Sequence, residues 1–338
     1  MLYGCPMPPA PRSVLRALAL ARRYGPTVLV ALSLALALHY LALLVAPLHH
    51  HNAEAFYALE KVWPPSLVEA WSSRVGSLLL ARWLLALTPL LPELPSSLAT
   101  PTLETLGIAQ WLTLWFLVIA AIQLVAYRER ALFHVLATYA CVVFGYSAGL
   151  DLRIYPWDLP ALAVFTLFVA LVHTRRPPWQ IMLLVWAGVP FKETALVLCL
   201  FPLALELSSR ERAAWGGVTL LGALLVKLGC DLAAGNTAVG LTMAADSFYD
   251  EGSLWWWNLR QLATGLPLLV NAGTLVAFLL VPGTDRTLRT FKLIALAFGA
   301  GNILFGVITE FRIWFELIPL ALFSLDGSLR SRSADASR

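Results

Sequence analysis

The fold is decided by residues 27–46, which read TVLVALSLALALHYLALLVA. This run has no charged side chain, and as an α-helix its roughly 20 residues would extend about 30 Å, the thickness of the hydrocarbon core of a bilayer. Arg12, Arg16, Arg22 and Arg23 precede the run, and no clear small-residue cleavage site follows it. The run therefore predicts an uncleaved first transmembrane helix rather than a signal peptide.

The whole chain shares this apolar character. Hydrophobic residues make up 59% of the sequence and charged residues only 13%, whereas soluble domains carry roughly 25% charged residues. Such a chain cannot cover itself with a polar surface, so we expect the lipid bilayer to be its principal partner. The net charge is +4, and the basic residues are scattered between apolar runs, a distribution that argues against nucleic acid as a partner.

Apolar runs predict an all-α integral membrane protein with about ten transmembrane helices. The runs occupy residues 27–47, 106–126, 131–148, 158–173, 179–190, 191–206, 213–229, 261–282, 290–309 and 313–325. Two of them, 179–190 and 191–206, are short and are separated by Pro190, Lys192 and Glu193. We interpret them as a hairpin of two half-length segments whose tip lies below the outer membrane surface, where charge is tolerated only around a cavity or a protein interior.

Orientation follows from the basic connections between these runs. They contain Arg128 and Arg130, Arg175 and Arg176, Arg210 and Arg212, Arg286, Arg289 and Lys292, and in the last residues Arg330, Arg332 and Arg338. All of them fall on the side of the N-terminus if residues 76–92, which contain Arg82, do not cross the bilayer. Because cytoplasmic loops collect Lys and Arg, we place both termini in the cytoplasm and predict that 76–92 is an amphipathic helix on the outer face.

This topology divides the chain into three regions. Residues 1–26 form a cytoplasmic N-terminal segment, residues 27–325 form the membrane domain with long outer loops at 48–105 and 230–260, and residues 326–338 form a cytoplasmic tail. The cysteines, Cys5, Cys141, Cys199 and Cys230, share no metal-binding spacing, so we expect buried apolar roles for them.

Three cations stand out in the predicted outer connections: Arg153, Lys192 and Arg312. Each has carboxylates beside it in the sequence, and ionisable groups at membrane depth are costly and are functional candidates. Together they would suit a phosphate or pyrophosphate group. A local role remains open for each, because Asp151 or Asp158 could pair with Arg153 and Glu316 stands four residues after Arg312.

The layout resembles the GT-C superfamily of membrane glycosyltransferases, which have one span, a long outer loop with interfacial helices, several further spans and a second outer loop. Short motifs are similar to those of uncharacterised bacterial GT-C-like proteins. The motifs are Phe56-Tyr57, Tyr155-Pro156-Trp157-Asp158, Phe191-Lys192-Glu193-Thr194, Glu310-Phe311-Arg312 and Phe315-Glu316-Leu317.

The resemblance implies transfer of a sugar from a polyprenyl-phosphate-type donor at the extracytoplasmic face of the cell membrane. The family's first-loop Asp corresponds to Ala53 here, so the resemblance assigns the general base to the neighbouring Glu54. Substrate binding falls to the remaining polar residues of the motifs and of the short outer loop. These residues are Tyr57, Asp151, Arg153, Tyr155, Asp158, Lys192, Glu193, Glu310, Arg312 and Glu316. Within this set, Asp151, Asp158 and Glu193 would orient the cations or hold a divalent cation.

Two other functions remain open. A transporter or flippase of a lipid-linked or anionic solute would use the same broken hairpin and the same cations, although we see no internal repeat between the two halves of the chain. A non-catalytic protein of GT-C-like fold would explain why Ala53 occupies the acidic position.

Overall fold

The computed structural model describes residues 12–48, 80, 103–147, 154–233, 260, 273–281, 285–305 and 314–336. Every regular element among them is a helix, as the sequence predicts. The α-helices are α1 (Arg12–Val45), α2 (Leu103–Tyr127), α3 (Ala131–Ser147), α4 (Asp158–His173), α5 (Pro178–Gly188), α6 (Ser209–Ala233), α7 (Gly273–Leu280), α8 (Arg286–Phe305) and α9 (Leu317–Ala336). An 11-residue 3₁₀ helix, Glu193–Leu203, follows α5.

Helices α1 and α2 pack side by side in opposite directions. Arg23, near the start of α1, contacts Glu129 just beyond the end of α2, with Nη2 and Oε1 2.9 Å apart. Farther along, the His39 ring lies 3.3 Å from the hydroxyl of Thr113. The chain therefore leaves α1 and enters α2 at the same end of the bundle. This is the relation that the predicted topology requires; of residues 76–92 themselves, the structure describes only Leu80.

A sharp reversal at Arg128 joins α2 to α3. Arg128 has a φ of 42°, a left-handed conformation that ends a helix and that residues other than glycine adopt infrequently. The returning helix is fixed by buried polar contacts. Gln123 donates to the Thr138 hydroxyl at 2.7 Å, and the rings of Tyr127 and His134 stack 3.8 Å apart. Two antiparallel helices thus occupy residues that the sequence predicts as two successive spans.

The short hairpin predicted at 179–206 is present. Pro178 stands at the start of α5, where its missing N–H costs nothing, and the helix stops at Gly188, two residues before Pro190. The carbonyl of Gly188 accepts hydrogen bonds from the backbone N–H groups of Phe191 and Lys192 at 3.0 and 3.1 Å. The chain then returns as the 3₁₀ helix, which is unusually long for its type. The second half is therefore more tightly wound than the α-helix an apolar run would suggest.

Polar caps begin the helices that follow. Ser208 and Glu211 form a reciprocal capping box at α6, in which each accepts a hydrogen bond from the backbone N–H of the other, at 2.8 and 3.3 Å, and so satisfies N–H groups that a helix start leaves open. Asp285 accepts from the N–H of Leu288 at 2.9 Å to cap α8.

Helix α4 lies at the centre of the bundle. Almost all of its side chains are buried, as expected for a helix that is apolar on every face. One apolar core joins its first turns to α1, α2 and α3. A second core joins the rest of α4 to α5, the 3₁₀ helix, α8 and α9. Both ends of α4 are therefore held by several neighbours, including the end that begins with Asp158.

Among the described residues, three helical stretches are long and apolar enough to cross a membrane: Arg22–Val45, Thr105–Ser147 and Ser209–Leu232. The second, of 43 residues, contains α2 and α3 and their reversal. Shorter apolar helices occupy Asp158–His173, Glu193–Leu203 and Leu317–Asp326. A helical membrane protein, the coarser part of the sequence-based expectation, is confirmed.

Basic residues gather at one end of the described bundle. Arg23 contacts Glu129, Arg130 pairs with Asp326, and the guanidinium of Arg286 donates to the carbonyl of Leu205 at 3.0 Å. We call this the basic end. Helix α9 continues to Ala336 and Asp326 is buried, so α9 runs through residue 325; the end of the membrane domain at that residue stays a prediction. Likewise α1 begins at Arg12, inside the predicted segment 1–26.

Candidate functional site: a buried charge cluster

Five of the predicted site residues are described by the structure: Tyr155, Asp158, Lys192, Glu193 and Glu316. They come from three separate parts of the sequence. The other six lie outside the described residues: Glu54, Tyr57, Asp151, Arg153, Glu310 and Arg312. The structure therefore describes only the part of the predicted site that lies at or beside helix starts.

Lys192 and Glu316 form a buried ion pair. Lys192 Nζ lies 2.6 Å from Glu316 Oε1, and the two side chains are only 7% and 0% exposed. The hydroxyl of Thr194 donates to the same carboxylate oxygen at 3.2 Å. Buried charges persist only when paired and hydrogen-bonded. Glu316 thus binds the tip of the short hairpin; Arg312, the other partner that the sequence offers for it, lies outside the described residues.

Asp158 brings a second carboxylate to this place. It is 1% exposed and close enough for its charge to act on Glu316. Its Oδ2 accepts a long hydrogen bond, 3.4 Å, from the backbone N–H of Tyr155. Asp158, Lys192, Thr194 and Glu316 are named the charge cluster below. Its described side chains hold two carboxylates and one ammonium group.

Three helices begin at the charge cluster. Asp158 is the first residue of α4, Glu193 is the first of the 3₁₀ helix, and Glu316 directly precedes α9. Acidic groups at helix starts are stabilised by the exposed N–H groups and the helix dipole, typically by about 0.3–1 kcal/mol when exposed. This electrostatic field favours negative charge at the helix starts, so it stabilises the buried carboxylates. The carboxylate of Glu316 in turn offsets the cost of burying the Lys192 ammonium group.

Aromatic rings surround the charge cluster. Trp111 on α2 donates its indole N–H to the carbonyl of Pro156 at 2.9 Å, which fixes the turn before Asp158. The rings of Tyr155 and Trp157 stack in that turn, 4.8 Å apart. Trp115 meets Phe191 edge to face at 5.8 Å. These contacts fix the segments next to Asp158 and Lys192. The ion pair itself is buried, which strengthens its electrostatics.

Gly145 leaves room for another aromatic ring near the charge cluster, that of Phe315. Phe315, next to Glu316, packs against Tyr146 with ring centroids 5.2 Å apart. A Cβ added at Gly145 would overlap the ring of Phe315. The absence of a side chain at Gly145 therefore sets how closely the start of α9 approaches α3.

The charge cluster lies far from the basic end along the helices. Helix α4 runs from Asp158 to His173, and His173 meets Phe323 and Tyr127 at ring-centroid distances of 5.2 and 6.0 Å. Asp326, deeper along α9 than Glu316, pairs with Arg130. The charge cluster thus lies at the first residue of α4 and the start of α9. The basic end lies at the last residue of α4 and about ten residues farther along α9.

Sequence reasoning named Lys192 and Glu316 but missed their pairing, since nothing local connects them. It also left Thr194 without a role, although the motif Phe191-Lys192-Glu193-Thr194 contains it. Trp111 and Trp115 gave no signal, because aromatic residues in an apolar helix are ordinarily core. Within the described residues, no group of three or more His, Cys, Asp or Glu is arranged to hold a metal ion; Asp151, part of the predicted divalent-cation set, lies outside them.

Comparison with known proteins adds no relative. No protein-family model, curated protein or solved structure matches the chain. The geometry of the charge cluster and the pattern of the sequence therefore carry the functional argument.

Proposed function

We propose that the chain is a membrane glycosyltransferase of GT-C-like architecture. It would span the bilayer about ten times and use a sugar donor linked to a polyprenyl phosphate at the extracytoplasmic face of the cell membrane. The observation that carries the proposal is the meeting of Asp158, Lys192 and Glu316 in one buried cluster, away from the basic end. With the basic end in the cytoplasm, this cluster faces the outer leaflet, where such a donor would be available.

In the proposed reaction, the bond between the sugar's anomeric carbon and the donor phosphate breaks, and the acceptor oxygen bonds to that carbon. Glu54 takes the proton of the acceptor hydroxyl. Lys192 stabilises the departing polyprenyl phosphate. An ammonium group has three N–H donors. Among the described residues, the contact of the Lys192 ammonium group is with the Glu316 carboxylate. Glu316 holds this cation in position.

Arg153 and Arg312 complete the proposed phosphate site. Their place in it rests on the sequence, since each stands in an outer connection beside a motif residue. Arginine offers paired donors that match a phosphate. The two guanidinium groups would supply the positive charge that the described cluster, with its two carboxylates, does not provide alone.

The test is sugar transfer by the purified chain in liposomes that contain polyprenyl-phosphate sugars. Lys192→Ala is expected to abolish transfer. Because loss of one partner of a buried pair also destabilises a protein, the paired change Lys192→Met with Glu316→Leu should accompany it. The matched control replaces Lys227 and Asp231, an ion pair on α6 with contacts of 2.5 and 2.6 Å, by Met and Leu. Unchanged transfer in a well-folded Lys192 variant would refute the proposal.

One observation favours a second candidate, a transporter or flippase. The charge cluster is built on a hairpin of two half-length segments, and broken helices often form transport sites. The same liposomes separate the two functions, because a flippase would move the labelled lipid between leaflets without forming a new glycosidic bond. A Glu54→Gln variant separates the enzyme from a non-catalytic protein, since only the enzyme should lose an activity through this change.

A further inference from the structure

A cavity opens at the basic end, away from the charge cluster. Its volume is about 420 Å³, enough for a lipid headgroup. The lining comes from the end of α4, the turn into α5, the residues that follow the 3₁₀ helix, the start of α8 and one residue of α9. The polar lining residues are His173, Arg175, Arg176, Glu206 and Thr287, and the apolar ones include Val172, Pro177, Leu205 and Phe323.

Positive charge dominates this cavity. Arg175 and Arg176 line it, and Arg286 reaches its rim by donating to the carbonyl of Leu205 at 3.0 Å. Among the described residues that line the cavity, Glu206 is the one acid. Its contact with Arg175 is 3.8 Å long, and the two side chains are 83% and 85% exposed. Such an exposed pair is weak, so Arg175 remains available to an anion.

The backbone of Arg175 supports a functional reason for the arginine. Its φ is 52°, in the left-handed region. The N–H of Arg176 donates to the carbonyl of Leu171 at 2.9 Å, and that of Arg175 donates to the carbonyl of Val172 at 3.0 Å. These two bonds form a Schellman motif, whose left-handed position is usually glycine. A strained arginine where glycine would fit better indicates that its side chain is needed.

The surroundings of the cavity match a membrane interface. Trp179, directly after the turn, is 49% exposed, and tryptophan is enriched at headgroup level. We infer that this cavity binds the phosphate group of an anionic membrane lipid. Guanidinium groups would bind the phosphate, and the apolar lining would contact the glycerol and the first acyl carbons. A free phosphate ion would leave that apolar lining unused. The inference does not depend on the proposed glycosyl transfer.

The experiment measures thermal unfolding of the full-length chain in neutral detergent micelles. Phosphatidylglycerol, phosphatidylcholine and inorganic phosphate are titrated separately. We expect phosphatidylglycerol alone to raise the unfolding temperature in a saturable way, since a ligand of the folded state stabilises it. The double variant Arg175→Gly, Arg176→Gln should bind this lipid at least tenfold more weakly, because each charged hydrogen bond contributes about tenfold in affinity.

Arg175→Gly alone makes the test sharp. Without lipid, its unfolding temperature should equal or exceed that of the parent chain, because glycine adopts a φ of 52° without strain. With phosphatidylglycerol, it should gain less. A stable variant that loses the lipid response cannot be dismissed as misfolded.

The matched control is Arg22→Gln with Arg210→Gln, which removes two exposed arginines outside the cavity lining. It should keep the full response to phosphatidylglycerol. An equal loss in the control would mean that general surface charge attracts the lipid, and would overturn the inference. An equal shift with inorganic phosphate would assign the cavity to a soluble anion instead. An unchanged response in the Arg175 and Arg176 variant would also overturn it.

Discussion

At the scale of single residues, the pairing of Lys192 with Glu316 predicts strong coupling. Lys192→Met alone and Glu316→Leu alone should each lower the free energy of unfolding by about 3–5 kcal/mol, because each leaves an uncompensated buried charge. The double variant should be nearly as stable as the parent chain, since apolar residues of similar size fill the same space. Denaturant or thermal unfolding in identical micelles measures the cycle.

Arg23→Met provides the residue-scale control. Arg23 and its partner Glu129 are 53% and 82% exposed, so the loss of this ion pair should cost much less. Exposed ion pairs contribute about 0.2–1 kcal/mol. Additive losses in the Lys192–Glu316 cycle, with no recovery in the double variant, would contradict the buried pair.

The sequence predicts these residues individually but not together. Lys192 and Glu316 are visible in the sequence as charges beside apolar runs. The free-energy cost of burying a charge there must be offset by a partner. The candidate partner in the sequence for Glu316 is Arg312, one turn earlier. Glu316 instead contacts the hairpin, where Thr194, 122 positions away in the sequence, also donates a hydrogen bond to it. These contacts arise only when α9 and the hairpin pack on α4.

At the scale of helices, α5 and α6 depend on a close approach at Gly222. The indole N–H of Trp186 on α5 donates to the carbonyl of Thr219 on α6 at 2.9 Å. A Cβ at Gly222 would overlap the same indole ring. Gly222→Ala should therefore lower the free energy of unfolding by about 1–3 kcal/mol through overpacking, as unfolding in micelles would measure.

Gly229→Ala is the control on the same helix, because nothing lies within 4 Å of a Cβ there. It should be neutral or slightly stabilising, since alanine favours the helix more than glycine does. Equal stability of the Gly222 and Gly229 variants would mean that Trp186 does not hold α5 against α6.

Helix existence was largely predictable, and helix detail was not. Apolar runs flanked by Arg or Pro gave α2, α3, α4 and α5 because hydrogen-bonded helices satisfy the backbone in lipid. The 3₁₀ form of Glu193–Leu203 left no signal, because a uniformly apolar run has no period that separates it from an α-helix. The left-handed Arg175 and Arg128 gave none either, since glycine is the residue expected there.

At the scale of the whole molecule, the antiparallel pairing of α1 with α2 predicts which positions share a side of the membrane. In a cysteine-free background, Glu129→Cys and Glu206→Cys should react with an impermeant maleimide from one side of sealed vesicles. Pro47→Cys, at the other end of α1, should react from the opposite side. All three parent residues are exposed, so burial does not confound the labelling.

The same labelling tests the proposed orientation. We expect Glu129→Cys and Glu206→Cys to be reached from the cytoplasmic side, because the basic end carries the arginines. Reaction of Pro47→Cys from the same side as Glu129→Cys would contradict the antiparallel arrangement. Reversed sidedness of all three would instead contradict the orientation and, with it, the extracytoplasmic position of the charge cluster.

The sequence by itself determined that this chain is a helical membrane protein, that its basic residues lie in a few connections, and that a short hairpin interrupts the spans. These properties follow from composition and from the length of apolar runs, which are local. Only the tertiary structure decided that Lys192 pairs with Glu316, that Asp158 joins them, and that arginines line a cavity at the other end. Such contacts depend on which helices pack together, and apolar helices of similar character do not encode their neighbours in any local pattern.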